Sequence, residues 1–145
     1  MRVMVIIKAN KDSEAGILPD EKFLGEMTQY NEDLVKAGVM LAGEGLHPSS
    51  KAKRVRFSTK AAPVVLDGPF AETKELIAGF WLWKVSSLDD AVDWLMRCPS
   101  PENAPDSEIE IRQVFDIEEF GAELTPEIRE KEKRLRAEIE AQKTS

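Results

Sequence analysis

Three features of the 145-residue chain predict an α+β fold. Short segments rich in β-branched and aromatic residues alternate in hydrophobicity, two longer segments carry apolar residues every three to four positions, and clusters of Gly, Pro, Asn, Asp and Ser separate them. The segments run strand, helix, strand, hairpin, strand, helix, strand, which suits helices packed on one side of an antiparallel sheet.

"RVMVIIK" at 2–8 predicts the first strand, and "ANKDSEAG" at 9–16 a loop. From 20 to 37 the apolar residues Phe23, Leu24, Met27, Tyr30, Leu34 and Val35 line one helical face. Pro19 and Asp20 suit its start, and Gly38 suits a left-handed residue just past its end. "VMLAGEGL" at 39–46 predicts a second strand, weakened by Gly43 and Gly45. "KRVRFS" at 53–58 and "PVVLD" at 63–67 read as a hairpin.

"LIAGFWLWKV" at 76–85 is apolar on both faces and predicts a central strand. Ser87, with Asp90 three residues on, caps a helix whose stripe is Leu88, Ala91, Val92 and Leu95, and Pro99 is expected to end it. "EIEIRQVF" at 108–115 predicts the last strand. The whole is a ferredoxin-like βαββαβ unit with an inserted β-hairpin.

Both helices of such a unit cover one face of the sheet. The other face keeps Met4, Ile6 and three large apolar side chains of the central strand, and leaving each exposed forgoes about 1.5–3 kcal/mol. A second copy of the sheet is the simplest cover, so the chain is expected to form a homodimer, two sheets closing face to face as a dimeric α+β barrel. Residues 1–120 form this domain and 121–145 a charged helical arm. Thr125 and Pro126 start the arm, and Glu127 with Lys131, Glu130 with Arg134 and Glu132 with Arg136 support it, while Ile128, Leu135 and Ile139 form its apolar edge.

A net charge of −7 argues against nucleic acid as a main partner. The charge is uneven: Lys51, Lys53, Arg54, Arg56 and Lys60 give residues 45–66 a charge of +5 with no acid, leaving −12 elsewhere. No stretch has the roughly 18 apolar residues of a membrane span, and the N-terminal run lacks the marks of a secretory signal. Cys98 is the only cysteine, so no internal disulfide forms and a cytoplasmic setting is expected. With one His and one Cys and neither CxxC nor HxxxE, no structural metal site is expected. Nor does a Gly-rich strand-to-helix loop mark a nucleotide cofactor.

"DGPFAETKE" at 67–75, with "AGEGLHPSS" before it and "LIAGFWLW" and "EIEIRQVF" after it, resembles the YCII-related proteins, also called the DGPFAETKE family. The resemblance runs from the first strand to about Phe120, and the tail resembles the extension of one branch. It implies a ferredoxin-like unit dimerised as an α+β barrel, in agreement with the burial argument. Activity in the family is largely unassigned. The resemblance points to a His and Asp pair in a cleft, or to a role beside alternative sigma factors in regulation.

Asp67-Gly68-Pro69-Phe70 has a structural explanation as a corner in which Phe70 packs onto the body. The functional reading has Asp67 orient an imidazole or bind a ligand hydroxyl. His47, the only histidine, must carry any imidazole chemistry, and Pro48 holds it extended. Paired with Asp67, it would serve as acid and base for isomerisation or elimination of an oxygenated organic substrate, an anionic one among the options. Glu44, Glu72 and Lys74 are candidate ligand contacts, with surface ion pairs as the plainer reading of the last two. Trp81 and Trp83 are expected in a barrel core rather than on a stacking platform. The alternative is a non-catalytic module that binds a metabolite or a regulatory protein.

Overall fold

The computed structural model describes residues 1–100 and 107–144. Strand β1 (Arg2–Lys8) is central, flanked antiparallel by β5 (Ile77–Lys84) and β6 (Ile109–Gln113), and β2 (Met40–Gly45) pairs with the far edge of β5. The resulting order β2-β5-β1-β6 is compatible with a ferredoxin-like fold. Among the described residues the sheet is open and closes no barrel. Strands β3 (Lys53–Arg56) and β4 (Val64–Asp67) form a separate two-stranded antiparallel sheet. Of the segment SPENAPDS at 100–107, which the sequence marks as a loop before the last strand, residues 101–106 lie outside the described residues.

Helix α2 (Glu21–Lys36) begins where Asp20 accepts the Phe23 N–H at 2.8 Å, and it ends before Gly38, at φ +72°. Helix α3 (Leu88–Leu95) begins at Ser87, whose hydroxyl accepts the Asp90 N–H at 3.0 Å. It stops four residues before Pro99, so proline does not terminate it. The sequence 9–16 is not all loop. Asn10 and Ser13 bond each other's backbone N–H groups in a reciprocal cap, which starts the one-turn helix α1 (Lys11–Glu14).

Tyr30 and Leu34 of α2 and Ala91 of α3 pack into one buried cluster with Val3, Val5, Trp81 and Trp83. Both helices therefore cover the same sheet face, and the tryptophans lie beneath them rather than in a barrel interior. Trp81 Nε1 donates to Asn31 Oδ1 at 2.9 Å, and the Tyr30 hydroxyl donates to the Trp94 carbonyl at 2.7 Å. At the end of α3, Cys98 is half-buried, and burial pushes its thiol up to about 11.

On the opposite face Met4 stands beside Leu82, and Ile6 beside Phe80. Less apolar surface is open there than alternation predicts: Ile6 is 9% exposed and Met4 36%, while Phe80 and Leu82 are half-buried.

A second compact unit begins at Phe115. In it the Phe115 and Phe120 rings pack at 5.4 Å, and helix α4 (Pro126–Lys143) starts with its Ile128 N–H bonded to the Thr125 hydroxyl at 3.2 Å. Glu118 pairs with Arg129, and Glu130 with Lys133 three residues on rather than with Arg134. Ile128, Leu135 and Ile139 are exposed. Among the described residues no helix is long and apolar enough to cross a membrane.

Candidate functional site

Three strand ends meet at one edge of the sheet. The Leu46 N–H bonds the Ala78 carbonyl at 2.8 Å, and the Ala9 N–H bonds the Leu76 carbonyl at 3.0 Å, which ties the exits of β2 and β1 to the start of β5. After α1 the chain turns at Gly16, whose φ of +76° is in the left-handed region that favours glycine, and runs on through Ile17, Leu18 and Pro19 to α2. Between that loop and the end of β2 lies a cavity of about 960 Å³. Ile17, Leu18, Pro19, Phe23, Leu46 and Ala78 supply apolar wall. Asp12, Glu14, Asp20 and Glu26 bring four carboxylates to it, against the ammonium groups of Lys22 and Lys51. His47 is exposed and lines the same cavity.

Behind His47 the chain makes a 3-10 turn, Ser49–Lys51, closed by the bonds Lys51 N–H to Pro48 O (3.0 Å) and Ala52 N–H to Ser49 O (2.9 Å). Ser49 is 6% exposed and joins three segments. Its N–H and hydroxyl donate to the two oxygens of the Glu14 carboxylate at 3.0 and 2.5 Å, and its hydroxyl accepts the Phe70 N–H at 3.1 Å. Charge-assisted bonds of this kind are the stronger class.

The corner at 67–70 closes the arrangement. The Gly68 N–H donates to Ala52 O at 2.9 Å, and a Cβ built on Gly68 would lie 1.7 Å from the Ser49 carbonyl oxygen. Only a residue without a side chain allows that approach. Pro69 follows through a cis peptide bond, and the Arg54 guanidinium lies 3.7 Å over the centre of the Phe70 ring. The corner thus braces the turn that carries the chain out of His47.

Of the residues singled out in the sequence, His47 lines the cavity, and the others occupy different places. Asp67 is exposed, with its carboxylate 2.5 Å from Lys53 Nζ. Glu44 stands beside Phe80 on the helix-free face. The register shift of β2 falls between Met40 and Ala42 rather than at its glycines, so Met40 pairs with Trp83 while Gly43 pairs with Trp81. Glu72 precedes the 3-10 turn Thr73–Glu75, which contains an exposed Lys74. None of these four is among the residues lining the cavity.

Sequence reasoning missed Glu14 and Ser49. The reciprocal Asn10 and Ser13 cap was the signal for the helical turn that presents Glu14, but nothing local joins Glu14 to a serine 35 positions away. Among the described residues no group of three or more His, Cys, Asp or Glu is placed to hold a metal ion.

An α+β domain with antiparallel sheets and a cavity at one sheet edge is the class this chain defines. Residues 1–118 match the model of the YCII-related domain, and the chain belongs to that family. It is also similar to an uncharacterized protein of Rhizobium meliloti (strain 1021), 36% identical over 95 residues that make up 66% of this chain and 75% of the relative.

Proposed function

We infer that the chain is a YCII-related enzyme of proton transfer acting on a small oxygenated organic molecule in the cavity beside His47. The observation that carries this reading is the position of the sole imidazole on a cavity that combines apolar wall with several carboxylates. His47 is the acid and base: it removes a proton from carbon in one step and returns it, to another carbon or to a leaving group, in the next. Asp67 acts as a positioning residue. Its ion pair with Lys53 and the neighbouring Gly68 N–H to Ala52 bond stiffen the corner against the turn behind the ring.

The helix-free face, on which Met4, Phe80 and Leu82 remain accessible, supports pairing with a second copy through the sheets.

The test uses a panel of small carboxylic acids, phenols and hydroxy ketones in deuterated buffer. A ligand that raises the melting temperature is expected to exchange an acidic C–H for deuterium only with enzyme present. His47→Gln is expected to abolish exchange while leaving ligand-induced stabilisation intact, and Asp67→Asn to slow it about tenfold. Stabilisation with no exchange for any panel member would instead make the protein a non-catalytic binding module. In that reading the exposed Ile128, Leu135 and Ile139 of α4 offer a protein-binding edge.

A further inference from the structure

Among the described strands, those of the β3–β4 hairpin are the least covered. Its two strands have four residues each, and every residue of both is exposed except a half-buried Leu66. A two-stranded ladder alone in water is marginal. Its base is fixed by the Lys53–Asp67 pair, by the Gly68 N–H to Ala52 bond and by Arg54 over Phe70. Beyond the base, Val55 and Val65 stand across from each other, both exposed, and Phe57 follows at 79% exposure. Arg56 precedes Phe57 and Lys60 follows three residues later, with no acid anywhere from 45 to 66. The tip therefore carries an exposed aromatic ring flanked in sequence by two cations.

The cavity has the complementary character. Its carboxylates outnumber its lysines four to two, and its wall includes Leu18, 84% exposed, with Ile17, Pro19 and Phe23. Phe57 is not among the residues lining the cavity of its own chain. A volume of 960 Å³ stands near the upper end of the range for small-molecule pockets, about 300–1,000 Å³, so a phenyl ring can enter and leave space for a small ligand.

We propose that Phe57, carried between Arg56 and Lys60, enters the acid-rimmed cavity of a second copy and that the second copy returns the same contact. Ring burial against the apolar wall provides the anchor, and the opposed charges select the partner surface. Because each copy supplies one tip and one cavity, a two-fold axis satisfies both contacts, and the assembly closes at two when the same axis also brings the helix-free faces together. The substrate chamber is then completed in trans.

This contact is separate from the sheet-face pairing and needs no turnover to be tested. In a full-length Cys98→Ser background, Phe57→Cys chains are mixed with differently tagged Leu18→Cys chains and treated with a short bismaleimide. The expected product is a covalent pair carrying both tags, formed at protein concentrations where Phe57→Cys mixed with chains lacking the Leu18→Cys change gives none. Sedimentation equilibrium supplies the second measurement. Arg56→Glu with Lys60→Glu is expected to raise the dimer dissociation constant about tenfold or more, and adding Asp12→Lys with Glu26→Lys is expected to restore it. A chain that stays monomeric, leaving the tip to some other acidic partner, overturns the proposal. So does a dimer that gives no link between positions 57 and 18, or one that Leu82→Glu dissolves while both tip charge reversals leave it intact.

Discussion

Gly68→Ala is expected to lower the melting temperature by about 10 °C or more, corresponding to at least about 3 kcal/mol. The added Cβ would meet the Ser49 carbonyl oxygen at 1.7 Å and its carbonyl carbon at 2.8 Å, both backbone atoms that no rotamer change can move aside. That oxygen also accepts the Ala52 N–H, so moving it away breaks the 3-10 turn. Relief therefore requires the corner to separate from the turn, with loss of the Gly68 N–H to Ala52 and Phe70 N–H to Ser49 bonds. Differential scanning calorimetry of the wild type and the variant measures the effect. Gly45→Ala is the control: a Cβ there meets nothing within 4 Å, and the change is expected to cost little.

Ser49→Ala is the second large effect, at about 2–3 kcal/mol. Truncation removes the hydroxyl that donates to Glu14 and leaves the Phe70 N–H without the acceptor it has in the wild type. Glu14 keeps only the Ser49 N–H, so its hold on the loop beyond α1 weakens. Denaturant titration gives the stability change. Hydrogen exchange gives its location: faster exchange is expected in residues 10–19 and 68–70, with the amides of β1 and β5 unchanged under native conditions. Uniform acceleration across the sheet would indicate that Ser49 supports the whole fold rather than the site.

Elements whose limits depend on nearby residues were legible in the sequence. Asp20 and Gly38 bound α2, Ser87 starts α3, and Thr125 with Pro126 starts α4, because a cap is a contact between residues three or four apart. The strands β1, β5 and β6 announced themselves by alternation or by apolar runs. Helix α1 was not legible, since the Asn, Asp and Ser that favour a loop are the same residues that cap a helical turn.

Strand β2 was legible as a strand weakened at Gly43 and Gly45, and pairing there is regular, with Gly43 tight against Trp81; its irregularity falls between Met40 and Ala42, where no glycine marks it. The helix-free face was legible in kind but not in extent, because the burial of Ile6 depends on tertiary packing that alternation does not encode.

For the candidate site, the sequence singled out the one histidine, which the fold places on the cavity, and missed Glu14 and Ser49 beside it. A lone histidine is conspicuous in a list of residues. Glu14 is one of 27 acidic residues, and only the folded chain sets it apart by bringing it to Ser49. The corner was readable as a turn, and what it braces was not, since Gly68 and Ser49 meet across 19 positions of chain.

The ring signals of the single histidine provide the most direct measurement, because one carbon–proton correlation spectrum reports on His47 alone. Any small molecule from the panel that raises the melting temperature is predicted to shift those signals in a saturable way and to slow amide exchange in residues 10–19. A molecule that stabilises the fold by binding at one site while the ring signals stay superimposed on those of the free protein would contradict the assignment of the cavity beside His47 as the functional site.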